Sequence, residues 1–461
     1  MEAILNGIVA AVNDVLWNKY LLLLFLLIGS GVFFTVRTRF VQVRRFRSGM
    51  GRVFGNISLK GKQAGKDGMS SFQALATAIA AQVGTGNIAG CASALVSGGP
   101  GAIFWMWIAA FFGMATIYGE AVLAQKYKKV AEDGEVLGGP IYYITAAFKG
   151  WLGKFLSVFF AVAIILALGF MGNMVQSNSI GDAFFTAFAV PKAVTGLIIA
   201  GVCAFIFLGG VKRIASVTEK LVPVMACFYI IGSLIAILLN ARNILPAFQS
   251  IFVGAFRPQA VLGGALGIGV KEALRFGVAR GLFSNEAGMG STPHAHALAK
   301  VAKPQEQGEV AMIGVFIDTF VVLNMTALVI LTSGVLGTVG ADGSLLTATA
   351  LAQAAFDKTF GSFGSAFVAV CLLFFAFSTI IGWYFFGESN IKALFHGSKP
   401  ARMAYGVIAL VFIAVGSFQK VSLVWDMSDM FNGLMVIPNL LALLALSGVV
   451  AKAAKEDAHS L

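Results

Sequence analysis

Apolar stretches long enough to cross a bilayer follow one another from end to end of this chain. A helix needs about 20 predominantly apolar residues to traverse the hydrocarbon core. That window finds eleven candidates, at 20–36, 70–95, 101–127, 153–175, 193–211, 217–240, 260–287, 309–338, 363–388, 403–418 and 423–449. Only 12% of the 461 residues are charged and 58% are hydrophobic, where a soluble domain carries roughly 25% charge. A fold in water needs polar residues to cover its surface, and too few are present. The chain reads as an all-α integral membrane protein. The stretch before Lys19 includes Glu2 and Asp14 and lacks a basic start, so no cleavable signal peptide is expected and the first span should stay in the membrane.

The formal charge of +12 follows topology and excludes a nucleic-acid footprint. Arg37, Arg39, Arg44, Arg45, Arg47, Arg52, Lys60, Lys62 and Lys66 crowd the connector after the first span. Lys126, Lys128, Lys129, Lys212, Arg213, Lys300, Lys303, Lys399, Arg402, Lys452 and Lys455 fall in loops on that same side, if eleven spans alternate. The opposite loops hold few, among them Lys19, Lys192, Arg242, Arg257, Lys358 and Lys420. The positive-inside rule then puts the N-terminus outside and the C-terminus in the cytoplasm. The connector 37–69 suits the inner leaflet, where it would meet anionic headgroups. Cys91, Cys203, Cys227 and Cys371 lie in apolar stretches without a C-x-x-C pair and read as buried small hydrophobes.

The second span cannot be an ordinary helix. It runs Ala80-Ala81-Gln82-Val83-Gly84-Thr85-Gly86-Asn87, with polar side chains and glycines at mid-membrane depth. Backbone that unwinds there must line a site or cavity, because its freed N–H and C=O groups have no water. Gly84 and Gly86 let the chain unwind and let a ligand approach the main chain. A half-helix starting after the break aims its positive end at the cavity, where a carboxylate belongs. The freed carbonyls suit a hard cation such as sodium, with the side-chain oxygen of Asn87 as a further ligand. A small-residue packing face explains Gly86 and Gly90, but not Gln82, Thr85 and Asn87. A channel filter, faintly echoed by Val83-Gly84-Thr85-Gly86, would need four copies around an axis. The seventh span carries Lys271, Glu272, Arg275 and Arg280 among glycines, so it faces protein or water and is the second candidate for a break. Two interrupted spans in two halves point to a secondary transporter.

The run Gly98-Gly99-Pro100-Gly101-Ala102-Ile103-Phe104-Trp105-Met106-Trp107-Ile108-Ala109-Ala110-Phe111-Phe112-Gly113, with Phe283-Ser284-Asn285-Glu286-Ala287-Gly288, resembles the signature of the alanine or glycine:cation symporter family. The resemblance covers essentially the whole chain. It implies a LeuT-type fold, a 5+5 inverted repeat after one extra helix, divided here as 1–69, 70–240 and 241–461. It implies sodium-coupled import of alanine or glycine by alternating access, with no cofactor and no obligatory protein partner. By the same resemblance, the amides at Gly84, Thr85 and Gly86 would receive the substrate carboxylate, and carbonyls at a break near Phe276 and Gly277 its ammonium. Gln82 and Gln176 would join that site, with Phe170, Met171 and Trp383 as walls that admit only a methyl side chain. Sodium would sit among Ala80, Val83, Ser378 and Thr379, and a second ion at Asn87.

Other chemistries find less support. An intramembrane hydrolase needs a nucleophile with a base, or H-E-x-x-H; the four histidines His294, His296, His396 and His459 all fall in expected loops or the tail. His294 and His296 are expected to be solvated. Proton coupling stays as the alternative to sodium. Asp318, an acid within the eighth span, is expected to neutralise Lys271, Arg275 or Arg280, or to lie near an ion.

Overall fold

The computed structural model describes residues 2–55, 69–130, 136–258, 269–341, 343–419 and 421–456. Lys60, Lys62, Lys66, Lys420, His459 and the glycine-rich stretch 263–268 lie outside them. Helices account for nearly all of the described chain. In order the α-helices of eight or more residues are α1 (Glu2–Asn13), α2 (Leu22–Arg37), α3 (Phe46–Phe54), α4 (Ser71–Gln82), α5 (Cys91–Gly98) and α6 (Gly101–Tyr127). Then come α7 (Pro140–Ala147), α8 (Gly150–Ile164), α9 (Asn173–Phe188), α10 (Lys192–Phe207), α11 (Gly210–Leu239), α12 (Ile244–Phe256) and α13 (Val270–Asn285). The rest are α14 (Pro304–Val315), α15 (Asn324–Ser333), α16 (Ala348–Phe360), α17 (Phe363–Leu394), α18 (Lys399–Gly416), α19 (Val421–Ala445) and α20 (Ser447–Glu456). A two-stranded antiparallel ladder, Lys129–Val130 with Val136–Leu137, follows α6.

Eight helical runs among the described residues are long and apolar enough to cross a membrane, and α4 with α5 make a ninth, bent by 45°. The expected spans 193–211 and 260–287 correspond to the 16-residue α10 and to α13; residues 259–268 before α13 are not described, so eleven is not reached by length and hydropathy. The first span is longer than expected: the apolar helical run is Leu5–Arg37, with α1 and a π-turn at Asp14–Asn18 preceding α2.

Bilayer chemistry sorts the residues. Leu197, Phe205, Leu245 and Val407 are exposed, whereas Gln82, Thr85, Asn87, Gln176 and Asp318 are buried. That inversion is what a protein solvated by lipid requires. Cys91, Cys203 and Cys371 are buried as expected, but Cys227 is exposed, on the outward face of α11. Small residues bring the helix axes close. A Cβ on Gly101 would lie 2.2 Å from the main chain of Gly254, and one on Gly277 would lie 2.6 Å from the Ala102 carbonyl. The signature run thus serves packing: Gly99 takes φ +68° to turn the chain, and Gly101 starts α6 against α12 and α13.

Candidate functional site

The site grows from the way α4 begins and ends. Ser70 caps it: its hydroxyl accepts from the Gln73 N–H at 3.0 Å, and the Gln73 side chain accepts from the Ser70 N–H at 3.1 Å. This capping box fixes the entry. The start is also tied by a parallel bridge, Met69 N–H to Leu298 O at 3.1 Å and Lys300 N–H to Met69 O at 3.2 Å. At the far end Val83 leaves helical geometry (φ −82°, ψ 89°). The next residue has to be glycine, because a Cβ on Gly84 would lie 2.3 Å from Thr379 Oγ1 and 3.0 Å from Gln176 Oε1.

Two amides at the break meet side chains instead of backbone. Gly84 N–H donates to Asn87 Oδ1 at 2.9 Å, and Thr85 N–H donates to Gln176 Oε1 at 3.0 Å. The Thr85 hydroxyl and Gln176 Nε2 are buried with no partner among the described residues. On the carbonyl side, Thr379 Oγ1 lies 2.8 Å from Ala80 O, 3.4 Å from Val83 O and 3.1 Å from Phe375 O on its own helix. Ser378 Oγ lies 3.3 Å from Ala80 O and 2.8 Å from Phe375 O. One hydroxyl proton cannot serve three carbonyls, so oxygen lone pairs gather here in excess.

Two of the expected site regions and the segment of Asp318 lie on π-helical turns: Gly86–Gly90, Ile165–Gly172 and Phe316–Leu323. Such turns shift the register of one face and often mark functional positions. They carry Asn87, Phe170 with Met171, and Asp318. Asp318 has no basic partner among the described residues, contrary to the ion pair that is one of its two expected roles. Its carboxylate accepts from Asn87 Nδ2 at 2.6 Å, from Ser284 Oγ at 3.0 Å and from Thr319 Oγ1 at 2.9 Å. Arg280 instead forms a buried bidentate pair with Asp429, 2.8 Å on both arms.

The second break is not where it was expected. Helix α13 is continuous through Phe276 and Gly277. Gly277 packs on α6, and the Phe276 ring lies under the Arg275 guanidinium at 4.0 Å. The chain departs from the helix at Glu286, which adopts φ +58°, and turns through Gly288 (φ +89°) and Gly290 (φ +81°) into the short helix Pro293–Leu298. Glu120 of α6 holds this turn, accepting from Gly288 N–H at 3.0 Å, Gly290 N–H at 2.9 Å and Asn439 Nδ2 at 2.6 Å. The two breaks touch: Gln82 Nε2 donates to Asn285 O at 2.7 Å, and a Cβ on Gly86 would lie 3.0 Å from Ser284 Cα.

Ala80, Gln82, Val83, Gly84, Thr85, Gly86, Asn87, Gln176, Ser378 and Thr379 are therefore brought together, while Phe276 and Gly277 are not part of the group. Trp383 joins the second break, donating its Nε1–H to Glu286 and standing edge-on to Phe283 with centroids 5.4 Å apart. Met171 is buried, but the Phe170 ring faces α18, 4.9 Å from Phe412 and 5.7 Å from Tyr405. Sequence reasoning missed Ser284, Glu286, Thr319 and Glu120; the signal for Glu120 and Glu286 was an acid within an apolar stretch. His294 and His296 are buried, not solvated. His294 accepts at Nε2 from Asn390 at 2.8 Å, and His296 Nδ1 lies 2.7 Å from the Gln307 amide.

The sodium:alanine symporter family matches residues 1–459. The sodium/alanine symporter AgcS of Methanococcus maripaludis is 44% identical over 451 residues, 97% of this chain and 96% of that one. The probable sodium/glutamine symporter GlnT of Bacillus subtilis is 43% identical over 456 residues, 99% and 91% respectively. Among solved structures, MhsT in complex with L-phenylalanine superposes with a TM-score of 0.58 at 15% identity, over 85% of this chain and 98% of that one. That likeness fixes the fold as LeuT-type.

Proposed function

Because the chain belongs to the sodium:alanine symporter family, and is thus a cation-coupled amino-acid transporter and not an enzyme, we propose that it imports alanine or glycine with sodium by alternating access. The N-terminus lies outside and the C-terminus in the cytoplasm, as the basic loops suggest, and the repeats 70–240 and 241–461 move around the site between them.

The observation that carries this reading is the break at Val83–Thr85. The Gly84 and Thr85 amides there are met by the side-chain oxygens of Asn87 and Gln176, which a substrate carboxylate can replace without orphaning a backbone donor. The ammonium would be received by carbonyls at the end of α13 near Ser284 and Asn285, replacing the assignment to Phe276 and Gly277. One sodium ion would take oxygens from Ala80, Val83, Ser378 and Thr379. A second would use Asn87 with Asp318, Ser284 and Thr319, where a buried carboxylate has only neutral donors around it. Such oxygen sets suit a hard cation.

Relatives of nearly equal identity are named for alanine and for glutamine, so pocket walls must decide size. Met171 and Trp383 support the small limit by their burial, whereas the Phe170 ring is turned toward Phe412 and Tyr405. Asp318 also gives the proton alternative a foothold beside the proposed ion site, since an uncompensated carboxylate can take a proton in place of sodium.

Uptake of labelled alanine into proteoliposomes tests both points. A sodium gradient should drive it, ethylamine should not compete and glutamine should compete poorly. Equal uptake in choline under an imposed pH gradient would replace sodium by protons.

A further inference from the structure

Glu286 is the last residue one would choose for its place. It ends α13 in the left-handed region at φ +58°, where a long side chain is uncommon and the backbone is strained. Its carboxylate is fully buried and its two oxygens are both used: one accepts from Trp383 Nε1–H and the other from the Ser291 hydroxyl. The clasp of Glu120 on Gly288 and Gly290 holds the turn, and so keeps Glu286 where it is.

Trp383 in turn has little freedom. It is 1% exposed. A Cβ on Gly172 would fall 2.4 Å from its Cζ3, so the indole face lies flush on that glycine. Phe283 stands against it at 89°. These apolar contacts fix the plane of the ring, but only the Nε1–H bond tells one in-plane orientation from another. On α17 the indole sits four residues after Thr379, hence on the same helix face one turn along. A tilt of the ring would change the space beside the first break.

We propose that Glu286 is the positioning residue for Trp383 and thereby sets the upper size limit of the substrate, without touching the substrate itself. This rests on the reading above in which Trp383 walls the pocket. The left-handed turn is then retained because it delivers a carboxylate to the indole nitrogen.

Variants of the two residues in proteoliposomes, normalised to folded monodisperse protein, test this through the ratio of valine to alanine affinity. Glu286→Ala should raise the KM for alanine and shift the ratio toward valine by about tenfold, the scale of one hydrogen bond to a charged group. Glu286→Gln keeps an acceptor oxygen and should keep the wild-type ratio. Trp383→Phe removes the N–H together with part of the wall and should shift the ratio at least as far as Glu286→Ala; Glu286→Met, of similar size but without an acceptor oxygen, replaces Glu286→Ala if that variant does not fold. The double variant should equal Trp383→Phe alone, because the two residues act as one unit. A folded Glu286→Ala with an unchanged ratio, or an additive double variant, overturns the proposal. If Trp383→Ala also leaves the ratio unchanged, the wall reading falls with it; if Trp383→Ala shifts the ratio while Glu286→Ala does not, the positioning role alone is refuted.

Discussion

Single atoms decide most at Gly84 and Asp318. A methyl group at Gly84 would collide with Thr379 Oγ1 and Gln176 Oε1, the groups that surround the freed backbone. Overpacking of this kind costs about 1–3 kcal/mol, so Gly84→Ala should reduce uptake roughly five- to hundredfold in proteoliposomes while the protein remains monodisperse in detergent. Asp318 presents the opposite problem, a buried carboxyl group with hydrogen bonds but no basic partner among the described residues. Sodium should therefore raise the thermal stability of the wild-type protein, by about 2.7 kcal/mol at a hundred times its Kd. Asp318→Asn should lose most of that increment and need at least about tenfold more sodium for half-maximal uptake, yet be no less stable in sodium-free buffer. A melting curve with and without sodium checks it. The sequence exposed Asp318 as an acid at membrane depth, but its partners come from α4/α5, α13 and its own π-turn, and no spacing rule joins those.

Elements were legible where a local cause makes them. The Val83–Asn87 break follows from neighbouring residues, because a glycine acts within one turn. The second break shows the limit of such reading. Charges and glycines at 271–281 suggested an interruption, but Gly277 is there to let α13 approach the Ala102 carbonyl. The actual departure at Glu286 depends on Glu120, from a helix more than a hundred residues earlier. The short helix that follows makes its own prediction. Lying outside the apolar spans, His294 is packed between the rings of Phe160 and Phe386, and burial pushes its pKa down from 6.5 to about 4. The folded state then binds fewer protons than the unfolded state between those values, so stability is lost as pH falls from about 6.5 toward 4. The melting temperature in detergent should drop across that window, and His294→Gln should flatten part of the slope.

Across the whole molecule, the N-terminal helices are joined to the transport core by polar contacts. Asn13 Nδ2 donates to Asp426 O at 2.9 Å, and Trp17 Nε1 donates to Asp429 O at 3.1 Å. Asp429 is in turn the partner of Arg280, whose guanidinium lies 4.4 Å from the Trp425 ring centroid. This tie joins α13, α19 and the extra N-terminal segment. Removing one member leaves a buried charge unpaired, so Arg280→Met should cost about 3–5 kcal/mol, and Arg280→Met with Asp429→Leu should recover most of it. Thermal unfolding of the three proteins in one detergent measures the difference. If one sodium enters across about 100 mV, the field supplies roughly 2.3 kcal/mol, enough for about fiftyfold accumulation of substrate.

By itself the amino-acid order determined the solvent of this protein, its helical class and the position of the first break. Each follows from short-range causes: apolar length, the cost of unpaired backbone in lipid, and glycine beside polar side chains at membrane depth. The signature runs added the family. Only tertiary structure decided what the lone acids are for. Asp318 faces neutral donors and not Arg280, Glu120 grips a turn far along the chain, and Glu286 meets an indole on α17. Electrostatic and hydrogen-bond partners are chosen by which helices lie side by side, and that arrangement is set by close packing over the whole bundle.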